Sequence, residues 1–350
     1  MNEVRVRTGA RLHFGFLNWG APGRQGGGLG LMLARPGWEV ALTTCPEGRA
    51  ALQELSGNED EIGGICRELI AQIRASVEGT EEEGSAVVEA AIPGASGLQV
   101  SARIGGRIPW HVGLGAGTQL ALAVARGAAE LAGMPQIALA ALVRWTGRGA
   151  RSAVGSWGFA EGGFLVDAGS LPRAPVPTLP AENERCVWRV NFPAEWRIVL
   201  VRPRRARGLS GQAERRAFET LPPMSSVQVG ELCRRTLLEI VPAVQTRDFE
   251  GTAAALGEFG LEVGKYFSRI QGAAIGDPRM ARLVESLRRE GFGGCGQSSW
   301  GPTVFVLARD EDHAAEARRA VERIAGNARD AELLVATTSA RNSGAERSWC

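Results

Sequence analysis

The chain has 350 residues, of which 44% are hydrophobic and 22% charged, a balance that excludes disordered and fibrous proteins. Its net charge of +2 is too small for a surface that coats nucleic acid or attracts a membrane. The opening residues MNEVRVRTGARLHF lack the apolar segment of a secretory leader, so we expect a cytoplasmic protein. The length exceeds that of most single hydrophobic cores, which favours two lobes.

The first half of the chain predicts a sheet that leads into a buried helix. Apolar residues spaced three and four apart predict a helix over residues 61–75, and an alanine- and leucine-rich run predicts a buried helix over 119–132. Alternation of apolar and polar residues predicts strands at residues 3–7, 11–17, 38–44, 85–92 and 98–104. The loop before residue 119 therefore places a glycine turn directly before the start of a buried helix.

A proline-rich stretch at residues 170–185 is the best candidate for a linker between domains. We place the boundary near Val190, with domains at 1–190 and 191–350, and we expect a frayed tail from about residue 338. Strands and helices beyond the boundary predict an α+β lobe. The strands are predicted at 197–203, 303–309 and 332–338, and the helices at 229–244, 249–264 and 279–289, with one more between the last two strands.

The segment from Pro109 to Thr118 reads PWHVGLGAGT, and its glycines let consecutive backbone N–H groups turn toward one point. Since a helix follows, the positive end of the helix dipole reinforces that point as an anion site. Close packing of a helix against a sheet is the alternative explanation for the same glycines. We expect pyrophosphate-type binding by Gly113, Gly115, Ala116, Gly117, Thr118 and the following Gln119.

This loop resembles the phosphate loop of the GHMP superfamily of small-molecule kinases. Within that superfamily, six ordered motifs resemble the β-ribofuranosylaminobenzene 5'-phosphate synthase family and span nearly the whole chain. They lie at residues 10–15, 23–30, 109–119, 147–152, 162–169 and 296–301. The resemblance implies a two-lobed GHMP-type α+β fold, with an S5-like N-terminal domain and a ferredoxin-like C-terminal domain.

The resemblance also implies a reaction. Phosphoribosyl pyrophosphate joins an aromatic acid, 4-hydroxybenzoate or 4-aminobenzoate, and releases pyrophosphate and CO2 in methanopterin biosynthesis. A homodimer is implied as well. The residues leave open whether the ring carries a hydroxyl or an amino group.

Two alternatives share the fold. An ATP-dependent GHMP kinase is opposed by Gly155, which stands where the kinases carry a catalytic aspartate, and by Arg11, at or near the position of a kinase lysine. Arginine keeps the positive charge but cannot serve as a deprotonatable group. A non-catalytic sensor of sugar phosphates is the third hypothesis, and the intact motifs oppose it.

Transfer of a ribosyl group to carbon has three needs. The first is to neutralise the charge of the pyrophosphate, the second is to bind the aromatic acid, and the third is to accept a proton. Arg11, Arg24, Arg148, Arg151 and Ser152 are candidates for the first need, although arginine is abundant here, since Lys265 is the one lysine among 40 basic residues. Gln297, Ser298, Ser299 and Trp300 are candidates for the second. For the third we predict His111 and His13, with Arg11 as a further catalytic residue, and Glu214 is a secondary candidate.

No adjacent acidic pair flanked by apolar residues offers a ribose and metal site of the ordinary phosphoribosyltransferase type. We therefore expect Mg²⁺ to be carried by the pyrophosphate, and the sequence names no protein ligands for it. Asp167 and Glu161 are the nearest acidic residues, and a structural role suits each of them better.

Overall fold

Two antiparallel sheets organise the computed structural model, which describes residues 3–78, 86–91, 99–149, 151–171, 186–209, 211–326 and 333–350. The strands are β1 (Glu3–Gly15), β2 (Gly28–Thr44), β3 (Ala86–Ala91), β4 (Gln99–Gly106), β5 (Phe164–Asp167), β6 (Cys186–Val190), β7 (Arg197–Pro203), β8 (Cys295–Gln297), β9 (Val304–Ala308), β10 (Leu333–Thr338) and β11 (Glu346–Trp349). The helices are α1 (Pro46–Glu54), α2 (Glu59–Val77), α3 (Ala116–Leu131), α4 (Leu139–Thr146), α5 (Val154–Glu161), α6 (Gly211–Thr220), α7 (Ser226–Arg235), α8 (Val241–Thr246), α9 (Phe249–Gln271), α10 (Pro278–Arg289) and α11 (Glu311–Gly326), with a π-helical turn (Thr236–Ile240) between α7 and α8.

The first sheet has the order β11-β1-β2-β4-β3, and β5 pairs with the start of β2 and with β6. The two strands predicted at residues 3–7 and 11–17 are one strand, β1, which pairs with β2 across a register shift between Gly9 and Arg11. A Cβ on Gly9 would lie 1.8 Å from the Leu33 carbonyl oxygen, so only glycine lets the two backbones approach here.

Helix α3 packs on this sheet because nearly all its side chains are small or apolar. Gly127 lies against Leu42 of β2, and Leu120, Leu122 and Val124 are fully buried. Helix α2 packs on α3 from the outer side. The predicted helices at 61–75 and 119–132 are confirmed, and their observed bounds are slightly longer at the N-terminal end.

The second sheet has the order β10-β7-β9-β8, with all neighbours antiparallel. Its fourth strand lies beside its first, as in the ferredoxin-like arrangement. Helices α10 and α11 cover one face with Leu283, Leu287 and Val321, while Leu200 and Phe305 on the other face join the hydrophobic core built around the first sheet. The predicted α+β, two-lobed GHMP-type fold is confirmed.

The end of the chain differs from the prediction. Strand β11 pairs with β1 from Val4↔Trp349 to Arg7↔Glu346, so the expected frayed tail is wrong. Strand β6 ends in the first sheet at Val190 and β7 begins the second, but the division at 190 stays a prediction, and residues 172–185 of the proposed linker lie outside the described residues.

Candidate active site

The glycine loop ends at Gly115, which has φ +77° and caps the N-terminus of α3. That left-handed conformation suits glycine and lets the chain turn directly into the helix. Two hydrogen bonds fix the loop: Arg11 N donates to Leu114 O at 3.0 Å, and Trp38 Nε1 donates to Ala116 O at 3.1 Å. The first turn of α3 is therefore held in place, with its unpaired N–H groups at the helix end.

A cavity of about 590 Å³ opens at this helix end and is bounded by loops from both sheets. Its size falls within the usual range for small-molecule sites. The lining residues are Arg11, Arg74, Trp110, His111, Gly113, Gly115, Ala116, Gly117, Thr118, Gly147, Arg148, Arg151, Leu209, Gly211, Glu214, Arg215, Ser299, Trp300 and Gly301.

Arginine supplies most of the charge in this cavity. Arg11 lies against Gly115 and donates from Nη1 to Gly113 O at 3.1 Å. Burial lowers the pKa of Arg11 to about 10, so its guanidinium stays charged at neutral pH. Arg151 pairs with Glu214 at 2.9 Å, and its Cζ lies 4.7 Å from the centre of the Phe218 ring. The cavity therefore suits a ligand with several negative charges.

His111 lies at the edge of the cavity with φ +57°, and its Nε2 shares a hydrogen bond of 2.6 Å with Glu78 Oε1. Glu78 also accepts from Arg74, and this hydrogen bond is the largest cause of the lowered pKa of the Glu78 carboxyl. The carboxylate thus stays ionised and can orient the imidazole for proton transfer.

His13 lies behind the cavity instead of in its lining. The imidazole is buried, and its Nε2 shares a hydrogen bond of 3.1 Å with Ser152 Oγ. Burial, followed by the charges of Arg11 and Arg151, lowers the pKa of His13 well below its usual value, so the ring is neutral at pH 7. His13 faces a narrow pocket of about 30 Å³, which has room for about one water molecule.

The turn after β8 joins the second sheet to this site. Ser298 Oγ donates to Gly113 O at 2.8 Å and accepts from His13 N at 3.2 Å, and Ser299 N donates to His13 O at 2.9 Å. Trp300 packs against Phe218, with ring centres 5.1 Å apart, and forms a wall of the cavity. The prediction that this turn reaches the cleft agrees with the geometry.

Six predicted residues lie outside the lining, although their roles in binding stay untested. Arg24 donates to Gly169 O at 2.9 Å, and Gln119 is fully buried between Thr8 and Gly155 O. Gln297 donates to Ser299 O at 2.8 Å and so supports the turn. The other three are His13, Ser152 and Ser298, described above.

Among the charged and aromatic lining residues, three were not predicted from the sequence: Arg74, Trp110 and Arg215. Arg74 lies near the end of α2, some forty residues from the glycine loop, and no local motif marks it. Trp110 stands inside the loop motif itself, beside His111, so its place in the motif was the available signal.

The acidic residues near the cavity do not form a metal site. Within the described ranges no group of three or more His, Cys, Asp or Glu side chains lies close enough to hold a metal ion. Glu78 and Glu214 are each paired with arginine, and Asp167 accepts from Ala153 N and Gly169 N.

Of the helices that the structure describes, none combines the length and the apolar character needed to cross a bilayer.

The two sheets and the glycine loop between them form a fold of the GHMP kinase type. Residues 240–328 match the family described as "GHMP kinases C terminal". The fold is similar to that of mevalonate pyrophosphate decarboxylase from Streptococcus pyogenes, with a TM-score of 0.59 and 13% identity over 97% of each chain. It is also similar to homoserine kinase from Cytophaga hutchinsonii, with a TM-score of 0.54 and 15% identity over 99% of this chain and 98% of that one.

Sequence relatives narrow this class. A beta-ribofuranosylphenol 5'-phosphate synthase from Methanothermobacter thermautotrophicus is 31% identical over 98% of this chain and 98% of its own length. The synthase of that name from Archaeoglobus fulgidus is 27% identical over 98% of this chain and 99% of its own length. The chain belongs to the beta-ribofuranosylphenol 5'-phosphate synthase family, which is a family of enzymes, and the resemblance inferred from the six motifs is confirmed.

Proposed function

We propose that this enzyme condenses phosphoribosyl pyrophosphate with 4-hydroxybenzoate to give β-ribofuranosylphenol 5'-phosphate, CO2 and pyrophosphate. The observation that carries the proposal is the cavity in which Arg11 and Arg151 lie beside the glycine loop at the start of α3. Such a site stabilises a leaving polyphosphate by fixed donors and charges, without a base. The lack of a carboxylate at Gly155 is compatible with this chemistry.

In the first step the bond between ribose C1 and the pyrophosphate oxygen breaks, and the bond between C1 and the carboxyl-bearing ring carbon forms. The ring electrons move to C1, and the leaving pyrophosphate takes the electron pair of the broken bond. The N–H groups of Ala116 and Gly117, with Arg11 and Arg151, are placed to stabilise that charge.

The aromatic acid fits on the cavity side of Trp300. The narrow pocket beside His13 holds about 30 Å³, too little for a benzoate ring, whereas the cavity has about 590 Å³. Trp300 would provide an apolar wall for the ring, and Arg215 or Arg151 would bind the carboxylate. The relatives' name includes a phenol, and a phenol product follows from the hydroxyl acid, which favours 4-hydroxybenzoate over 4-aminobenzoate.

In the second step the ring loses CO2, whose bonding electrons restore the aromatic ring. A base that holds the phenolic proton while the ring carries the new bond would lower the barrier. His111, oriented by Glu78, lines the cavity and is our candidate for this role. His13 is neutral and buried, and we assign it to holding the turn at Ser298 and Ser299.

Three further parts of the proposal rest on resemblance and on substrate chemistry. Mg²⁺ enters as part of the pyrophosphate substrate, because Glu214 in the cavity lining and Glu78 beside it are each engaged by an arginine. The product feeds methanopterin biosynthesis. The active form is a homodimer.

The test uses phosphoribosyl pyrophosphate and carboxyl-labelled 4-hydroxybenzoate, with CO2 and pyrophosphate counted separately. We expect equal amounts of the two products, and release of one without the other would overturn the proposal. Arg151→Gln should lower the rate strongly. Arg323→Gln, which removes an exposed arginine paired with Glu290 on the far lobe, serves as the matched control and should keep the full rate.

A further inference from the structure

The arginines of the cavity form two groups on different sides of the first turn of α3. A Cβ on Gly115 would point at Arg11, 2.8 Å from its Cγ, whereas a Cβ on Gly117 would lie 3.5 Å from Arg148 Nη2. The glycine loop therefore separates Arg11 from Arg148.

The group at Arg11 is the reactive end. Glu214 and the ring of Phe218 hold Arg151, and Phe218 packs edge-on against Trp300. Trp300 is the wall against which the aromatic acid fits in the proposed function, so ribose C1 and its pyrophosphate must lie at this end.

The group at Arg148 has no part in that step. Arg148 lies beside Trp110, which is 3.2 Å from the Cβ position of Gly117, and the Cζ of Arg74 lies 5.6 Å from the centre of the Trp110 ring. Glu78 pairs with Arg74 and its charge also acts on Arg148, while the nearby charge of Arg74 helps to lower the pKa of Arg148, after burial. Two cations thus meet with one carboxylate between them.

One hydrogen-bond donor of this group lacks an acceptor within the described part of the chain. Arg148 Nε is buried and has no hydrogen-bond acceptor among the described residues. The indole Nε1 of Trp110, a side chain 8% exposed, is in the same state. Both atoms lie below the surface, so this group offers a ligand in the cavity the charge of its two guanidinium groups, Arg74 and Arg148, which line the cavity.

We infer that Arg74 and Arg148, beside the ring of Trp110, form a second anion subsite that binds the 5'-phosphate of the ribosyl donor. The inference rests on the proposed function, because it takes the pyrophosphate to lie at Arg11 and Arg151. Phosphoribosyl pyrophosphate carries phosphates at both ends of the sugar, and a monophosphate with three acceptor oxygens matches two guanidinium groups. The two subsites then fix which end of the sugar meets the aromatic ring.

The experiment measures binding of each half of the donor by calorimetry, with no aromatic acid present. The probes are ribose 5-phosphate and inorganic pyrophosphate. Arg148→Gln should weaken the binding of ribose 5-phosphate by about ten- to a hundredfold, which is the range for loss of charge-assisted hydrogen bonds. The same variant should change the binding of pyrophosphate by less than about threefold. Arg151→Gln should give the opposite pattern.

Arg144→Gln is the control, since it removes a nearby exposed arginine that pairs with Glu59 at the surface. Arg148→Lys keeps the charge without the planar fork and should fall between the wild type and Arg148→Gln. Equal weakening of both probes by Arg148→Gln, or weakening of neither, overturns the inference.

The outcome is separate from that of the proposed function. If CO2 is released normally while Arg148→Gln binds ribose 5-phosphate like the wild type, only the subsite assignment fails. Suppose instead that no CO2 is formed, but Arg148→Gln weakens binding of ribose 5-phosphate and Arg151→Gln weakens binding of pyrophosphate. The subsite assignment then stands and the proposed reaction fails.

Discussion

Gly115 combines a left-handed backbone with close contact to Arg11, so its substitution tests the anion site directly. We compare Gly115→Asp with Gly115→Asn, because both side chains tolerate this conformation and differ mainly in charge. The aspartate should weaken pyrophosphate binding at least about tenfold more than the asparagine, since a carboxylate repels the ligand and attracts Arg11. Calorimetry measures the difference, and circular dichroism checks the fold. Equal binding by the two variants would mean that the loop only packs the helix.

His13 predicts a dependence of stability on pH. Burial lowers its pKa in the folded protein, so below the ordinary histidine pKa the unfolded chain binds a proton that the folded chain does not. Stability is fully present above that pH and falls as the pH drops, by up to about 1.4 kcal/mol per pH unit. Urea unfolding at pH 7 and pH 5 should show a smaller loss for His13→Gln than for the wild type. Parallel losses in the two proteins would show that His13 is protonated in the fold.

At the scale of elements, the turn after β8 depends on one buried hydroxyl. Ser298 is fully buried and bridges His13 N and Gly113 O, so Ser298→Ala removes the acceptor of His13 N and leaves Gly113 O with its hydrogen bond from Arg11. We expect a loss of about 1–3 kcal/mol in unfolding free energy. The matched control is Thr303→Val in the same turn, because the equally buried Thr303 Oγ1 has no partner among the described residues. If Ser298→Ala costs no more than Thr303→Val, the hydroxyl does not join the two sheets.

Strand β11 supplies another prediction at this scale. Arg347 donates to Glu130 at 2.8 Å, and the Glu130 side chain is only 7% exposed, so a chain shortened to end at Ala345 leaves a buried carboxylate unpaired. We expect a loss of about 2 kcal/mol, less than for a pair buried on both sides, because Arg347 itself is half exposed. Urea unfolding of the shortened chain and of Arg347→Ala should separate the contribution of the ion pair to the unfolding free energy from that of the strand pairing. An unchanged midpoint for the shortened chain would restore the interpretation of a frayed tail.

The elements differ in how well the sequence predicts them. Helices α2 and α3 follow from local periodicity, because each buries one regular face or, for α3, almost every face. The residues ERSW of β11 are all exposed and carry no alternation, so only pairing with β1 makes them a strand. Arg74 could not be assigned to the site for a related reason, because its place in the cavity depends on how α2 packs on α3. Glycine and histidine motifs located the cavity, whereas the second group of arginines required the tertiary fold.

The whole molecule shares its fold with ATP-dependent kinases, and this leads to a prediction about ATP. A helix end and backbone N–H groups do not distinguish one polyphosphate from another, so ATP should compete weakly with phosphoribosyl pyrophosphate. Phosphorylation of galactose, mevalonate or homoserine should stay at background, because a missing general base costs about a hundred- to ten-thousandfold in rate. Steady-state inhibition kinetics test the competition by ATP, and a phosphorylation assay with Mg²⁺ tests the absence of kinase activity. Sustained ATP-dependent phosphorylation of any of these alcohols would favour the kinase alternative.

The backbones of the two lobes touch along the inner edge of the cavity. Gly208 N donates to His111 O at 2.6 Å, and a Cβ on Gly301 would lie 2.0 Å from the backbone of Val112. A hinge motion that separated the lobes at this edge would break these contacts together with the hydrogen bonds of Ser298. These contacts close the cavity at its inner edge, so substrate and product would pass the opposite rim, where Arg215 is exposed.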